Sequence, residues 1–567
     1  MKKFIFLTLV IILIFSLVLI GCKKQEATTA PVVQPTTAAP TTAAPTTVAP
    51  PKTTPPPTDA RLANIGALAK PEGGKAGGRL QLQAGVNINN IGDPTGTAGP
   101  SDAAFSFPCV EPLVIIDKNN NLAPWLAEEI IPAADKGSLT LKLRKGIKFT
   151  DDTPFNAEAA KYNIDNGINS KMWPNMKKVK ECVAVDEYTI RLDFVDGKWD
   201  WTAVKSLAGF WSVMMFSPTY LKNHTAEEKM THVIGTGPFI LKEYIRDQKL
   251  TYDRNDNYWR GKPYLDGIDY NIIPDATVAL LAYKSGDLDL IGVQAKDAKG
   301  LLDGGFKIAE TTDMVFNMCV LPSSRTPTSP LADLRVRQAF EYSLDKQELV
   351  DALTYGYGKA TNQLFCLPPY MDPTVVGYPH NVAKAKQLLT AAGFPNGLTT
   401  TLYYVQGMPT DLPLAIQGQV AEAGITLKLE GVGYIKFVAM IQGGEGWEGY
   451  MFVYGFPGTT VDPAATLGNG ALNAVRGADG KWVPTTWISC DQPQELCDIF
   501  EKSNQETDAA KRAVLIQSIS KKMTDTYCQW TYMYYSPSLT SLAPRVHGYT
   551  AGQYSEFQAY TFAWLDK

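Results

Sequence analysis

The sequence predicts a two-lobed α/β fold, and three observations carry that expectation. A strand–helix–strand unit runs from Leu250 to Val293, and a longer alternation of strands and helices runs from Thr400 to Tyr454. The third is length: 567 residues are enough for roughly three to four domain-sized units. With 45% hydrophobic and 19% charged residues, the chain reads as globular beyond its first sixty positions.

The N-terminus reads as an address. Lys2 and Lys3 precede an uncharged, mostly apolar run from Phe4 to Ile20. That run sits near the ~17-residue lower limit for a membrane span, and it equally suits the core of a secretory signal. Leu19-Ile20-Gly21-Cys22 resembles a bacterial lipobox and decides for a signal in which Cys22 carries the acyl chains. Residues 23–60 are Thr, Ala and Pro with no core-forming pattern, a tether reaching roughly 100 Å if extended at ~3.1 Å per residue.

The body begins near Gly78. Arg79 to Val86 alternates like an edge strand, and Thr140 to Leu143 reads as another. Gly146 then marks a turn, and Asn156 caps an amphipathic helix through Asn166. Leu250 to Asp253 is a strand broken by Asn255-Asp256-Asn257, and Ile268 to Ile273 a second, ended by Pro274. Asp275 caps a helix over Ala276 to Ser285, with Val278, Leu281 and Ala282 as the face expected against a sheet. Gly286 closes it, and Leu288 to Val293 is the third strand. Asp333 to Tyr342 and Asp345 to Tyr355 are successive helices, the second with Asp345 and Glu348 at capping-box spacing. Asn381 caps another. Strand Thr400 to Val405, helix Leu412 to Ala423, strand Ile425 to Glu430, helix Tyr434 to Ile441 and strand Tyr450 to Tyr454 make a second α/β lobe. Asp508 to Lys522 is helical and Trp530 to Tyr535 strand-like.

Composition and motifs then narrow the function. A net charge of -4 without a basic stripe argues against a nucleic-acid partner. The four histidines, His224, His232, His380 and His547, form no zinc-binding helix, and GxSxG, CxxC and phosphate-loop motifs are absent. The one GxGxxG, Gly444 to Gly449, follows a predicted helix and leads into a strand, the reverse of a dinucleotide site. No enzyme chemistry, metal site or cofactor is therefore expected. Seven cysteines come after Cys22, an odd number, so at least one thiol is unpaired within the chain.

Several pieces, in order, resemble one family. They are Glu111-Pro112-Leu113, Leu141-Lys142-Leu143-Arg144-Lys145-Gly146-Ile147-Lys148-Phe149 and Thr153-Pro154-Phe155-Asn156-Ala157-Glu158, then Gly235-Thr236-Gly237-Pro238-Phe239. Next come Arg254-Asn255, Tyr258-Trp259, Pro263-Tyr264-Leu265-Asp266-Gly267-Ile268 and Ser285-Gly286-Asp287-Leu288-Asp289, with Asp333-Leu334-Arg335-Val336-Arg337-Gln338-Ala339-Phe340 after them. Together they resemble the extracellular solute-binding proteins of family 5, receptors of ABC importers, over about Gly78 to Tyr549.

The resemblance implies a class II periplasmic-binding-protein-like fold with an extra subdomain, its lobes joined by crossing strands and closing by hinge motion. It apportions the chain as a lipoprotein signal over residues 1–22, the tether over 23–60, and lobe I over 78–115, 228–312 and 535–567. The extra subdomain takes residues 116–227 and lobe II 313–534. It implies a monomeric receptor, lipid-anchored on the outer side of the cell membrane, that hands a small solute to an importer's permease and ATPase. An oligopeptide comes first as solute; an oligosaccharide, nickel chelate or haem are alternatives, as is a sensor or surface structural protein. In peptide-binding relatives an Asp in a Trp-x-x-Asp-Tyr-x-Asp-Pro-like segment holds the peptide ammonium. Here Phe456 takes the Trp position and Thr459 falls where that Asp belongs, ahead of Asp462-Pro463. A missing charge-assisted bond of about 1.5–3 kcal/mol would weaken ammonium binding ten- to a hundredfold. The expected ligand-binding residues are Trp447, Tyr454, Phe456, Thr459, Thr460, Asp462, Trp482 and Trp487. Cys490 and Cys497 lie where relatives carry a loop-closing bridge.

Overall fold

The computed structural model describes residues 70, 72–86, 88–94, 104–116, 121–170, 174–208, 213–442, 444–457, 463–550 and 559–566. The chain divides into two units between Pro55 and Pro56, and every described residue belongs to the second, Pro56–Lys567. The expected signal, Cys22 and the tether lie outside the described residues, and both lobes belong to the second unit.

The first lobe grows from three parallel strands. Arg79–Ala84 lies between Gly267–Ile272 and Leu290–Val293, parallel to both. Lys249–Arg254 and Phe239–Ile245 extend the sheet as antiparallel neighbours. The alternation of Arg79–Ala84 suggests an edge, but the strand is interior. Leu80, Leu82 and Ala84 fill the core, while the polar face is satisfied within the sheet. Arg79 bonds Asp269 and Asp253, and the side-chain amide of Gln81 bonds Asp269 at 2.9 Å.

Helix Ala276–Ser285 forms as expected, its N-terminal amides held by the Asp275 carboxylate and its end turned by Gly286 at φ 90°. Its packing differs from expectation. Val278 and Leu281 are exposed, and Ala279 and Tyr283 are the buried pair. The segment is apolar nearly all round, so periodicity does not choose the stripe. Tyr283 does, with its ring 4.6 Å from Phe306 and its hydroxyl 2.8 Å from Ser541. A separate antiparallel sheet, Ala127–Pro132, Ser138–Leu143, Thr189–Phe194 and Val179–Asp186, packs into the same core as helix Ala157–Asn169 and the strands Arg79–Ala84 and Gly267–Ile272.

The second lobe carries Leu398–Val405 between parallel neighbours Ile425–Val432 and Tyr450–Pro457. Its sheet is covered on both faces, as parallel sheets require. Cys319, Leu321, Met451 and Tyr532 fill one side with helices Gln494–Gln505 and Ala509–Lys521. Met318, Val320, Phe452 and Met533 fill the other with helices Leu334–Tyr342 and Asp411–Glu422.

Two long strands join the lobes. Lys307–Pro322 and Thr531–Leu542 pair antiparallel, Lys307–Glu310 with Leu539–Leu542 in the first lobe and Val315–Val320 with Thr531–Pro537 in the second. The register breaks between Glu310 and Val315, which marks the passage. The principal strands of both lobes thereby belong to one continuous sheet path, and the fold is a two-lobed α/β architecture with crossing strands.

Candidate functional site

Strand direction locates the site. Tyr450–Pro457 runs antiparallel to Lys307–Pro322, with Pro457 opposite Phe316 and Tyr450 opposite Pro322. Its carboxyl end therefore points at the passage between the lobes. Leu398–Val405 and Ile425–Val432 are parallel to it, so their carboxyl ends point the same way. In the first lobe Val293, the last residue of Leu290–Val293, stands opposite Leu539 beside the passage. Arg79–Ala84 and Gly267–Ile272 share its direction. Both lobes thus turn the carboxyl ends of their parallel strands toward the crossing, where open α/β sheets bind ligands.

Large apolar side chains lie bare at these edges. Val86, two residues past Arg79–Ala84, is 41% exposed. In the second lobe Met408, Tyr434 and Ile435 come just after the strand ends at Val405 and Val432, and are 38%, 66% and 86% exposed. Sequence reasoning reads Tyr434 and Ile435 only as the start of a helix. The available signal is that this helix begins where a parallel strand stops, across Gly433.

The expected binding residues divide. Tyr454 and Phe456 lie on Tyr450–Pro457, the backbone of Phe456 opposite Asn317 near the passage. Thr459, Thr460 and Asp462 lie outside the described residues. Trp447 and Trp487 lie in the interior. Trp447 is buried with its indole N–H 3.3 Å from the Leu321 carbonyl. Trp487 is buried and stacked on Trp530 at 5.5 Å. Both rings fill the second core, where their apolar area is worth most. Trp482 donates to Asp498 at 2.8 Å and carries the Arg476 guanidinium 4.3 Å above its ring. Cys490 and Cys497 are not bridged, and all seven cysteines of the body are buried free thiols. Burial pushes the Cys497 thiol up to about 12.

The sequence pieces that carry the resemblance put polar groups inside the lobes. Glu111 is fully buried, and four donors converge on it. Trp125 Nε1 (2.9 Å) and Tyr258 OH (2.7 Å) bond Oε1, while Thr236 Oγ1 (2.7 Å) and Trp259 Nε1 (2.9 Å) bond Oε2. Burial raises the Glu111 carboxyl above its usual range, and these bonds pull it back. In the second lobe buried Arg337 donates to the carbonyls of Leu331, Ala332, Tyr527 and Cys528 at 2.8–3.0 Å. Asp289, also buried, accepts from the Gln81 backbone amide at 2.9 Å and from Arg545 at 2.6 Å.

Comparison with known proteins accords with this geometry. Residues 121–474 match the family described as bacterial extracellular solute-binding proteins, family 5 Middle. The chain is 28% identical to the nickel-binding periplasmic protein of Escherichia coli K12 over 54% of its own length and 60% of that protein's, less than two thirds of the relative. It is 26% identical to haem-binding protein A of Haemophilus influenzae, over 76% of this chain and 82% of that one. Among solved structures, the substrate-binding protein CtaP of Listeria monocytogenes superposes with TM-score 0.74 at 20% identity, covering 87% of this chain and 100% of that one. DppA of Helicobacter pylori, solved with a peptide, gives 0.71 at 19% identity, covering 87% and 99%. At these identities the two structures establish the shared fold.

Proposed function

The chain belongs to the family 5 bacterial extracellular solute-binding proteins, and from that membership we propose that it is an exported, lipid-anchored receptor handing a small organic solute to an ABC importer. The convergence of both sets of carboxyl ends on the crossing strands carries the reading. That arrangement makes a crevice which rotation about two strands can open and shut. We take residues 78–115, 228–312 and 535–567, with the subdomain 116–227, as one moving body and 313–534 as the other. On the crossing strand Tyr535 to Pro537 still pair in the second lobe.

An oligopeptide is the solute we favour. The bare Val86, Met408, Tyr434 and Ile435 suit apolar side groups, which gain from leaving water when the lobes close. Relatives named for nickel and haem keep a metal chelate or porphyrin as the second reading. The chain acts without covalent chemistry in this reading. Cys22 holds it to the membrane and the tether lets the body reach the permease.

Native mass spectrometry of protein purified undenatured from its own host tests the proposal. A ladder of peptide masses, released on denaturation, is the expected result. A single hexose-spaced or chelate mass would replace the peptide, and an empty, open protein would favour a sensor or structural role.

A further inference from the structure

The lobes also meet away from the crossing strands. Helix Trp201–Ser206 of the first lobe starts at Asp200, whose carboxylate accepts the Thr202 amide at 2.8 Å. It packs against helices Pro463–Thr466 and Gln494–Gln505 of the second lobe. Half-buried Trp201 touches the core of each lobe. Its indole N–H donates to the Glu506 carbonyl at 2.6 Å, one residue past the end of Gln494–Gln505. The guanidinium of buried Arg512 lies 5.3 Å from the same ring. Arg512 is itself fixed, bonding the Ser503 carbonyl at 3.0 Å and the Tyr370 hydroxyl at 3.2 Å. Trp199 stands edge-on to Trp201 at 5.3 Å and braces it from the first lobe.

We propose that Trp201 is the clasp of the closed receptor, and that its contacts with Glu506 and Arg512 set the ratio of closed to open lobes. Two crossing strands leave the lobes free to rotate. A second tie between them is compatible with one rotation only. In sequence, Pro463–Thr466 begins six residues after Pro457, the carboxyl end of its lobe's strand. The indole N–H has its partner in the other lobe, and opening strips it of that bond. The contact is therefore worth more to the closed state than to either lobe alone.

The inference rests on the two-lobe receptor reading, but its test needs no solute. Spin labels on Val86→Cys and Ile435→Cys report the distance between the two carboxyl edges. Both positions are exposed, whereas the native thiols are buried. Trp201→Phe keeps an aromatic ring and loses the N–H, and should lower the closed-to-open ratio about fivefold. Trp201→Ala also removes the cation–π contact and should lower it about tenfold or more. Distance distributions identical in the parent and both variants, at unchanged thermal midpoints, would overturn the clasp. If solute is found but the distributions stay identical, the clasp alone fails. A shifted ratio in a protein that carries no solute from its host and binds none on titration would keep the clasp and sink the receptor.

Discussion

Replacing Glu111 by Gln tests whether one buried carboxylate holds the first lobe together. The wild-type site has two acceptor oxygens for four donors. An amide offers one oxygen, so two donors must find another answer. Thr236 Oγ1 can turn and accept from the new amide. The Trp259 indole cannot accept, and it is left facing an N–H. An unsatisfied buried donor costs about 1–3 kcal/mol, and that is the expected loss. Glu111→Ala strands Trp125 as well, whose ring is wholly buried, and should cost about 3 kcal/mol or more once the cavity is added.

The pH dependence has a definite sign. Burial raises the Glu111 carboxyl in the folded state above its value in the unfolded chain. Its contribution is fully present below the ordinary carboxylate range and is lost as pH rises through the folded value. The gap between wild type and Glu111→Gln should therefore be widest below the ordinary carboxylate range and narrow as pH rises above it. Urea unfolding monitored by tryptophan emission, which Trp125 and Trp259 report directly, measures both. A Gln variant within about 0.5 kcal/mol of wild type at every pH would refute the reasoning.

Other contacts lead to three further outcomes. Arg337→Lys replaces a planar fork reaching four carbonyls with a point charge, and should cost about 2–4 kcal/mol in the same urea assay. Gly235→Ala would set a Cβ 2.1 Å from the Cys109 carbonyl oxygen, against backbone that cannot swing aside, and should cost at least about 1–3 kcal/mol. Thiol titration of the non-reduced body should find none reactive when native and seven in denaturant, whereas five would restore a bridge such as Cys490–Cys497.

Helix ends were legible because their chemistry is local. Asp275, Asn156, Asp345 and Asn381 each cap the helix that their position in the sequence announces. What a local pattern cannot convey is which neighbour a surface meets. Arg79–Ala84 alternates like an edge because its polar face is bonded within the sheet, a fact that resides 174 to 190 residues away in Asp253 and Asp269. Trp447 and Trp487 look like stacking platforms for the same reason: composition marks aromatics, and only the packed second core tells wall from filling. The cleft edge was hidden in a different way. Tyr434 and Ile435 carry no motif, and their place depends on the direction of three strands, which no single stretch encodes.

That edge bears on the solute. By the family resemblance Thr459 takes the place of an ammonium-binding Asp, which would cost about 1.5–3 kcal/mol for a free N-terminus. Burying one exposed Ile or Tyr side chain against an apolar group returns about 1.5–3 kcal/mol. In the proposed peptide receptor, Ile435 and Tyr434 together would offset the missing charge when the lobes shut. In that reading the balance shifts recognition from the end of a solute to its side groups. An acetylated apolar tripeptide should therefore bind within a few fold of its free-amine form, where an ammonium-dependent receptor would lose ten- to a hundredfold. A strong preference for the free amine in calorimetric titrations would return the leading role to a carboxylate, with Asp462 the first to replace.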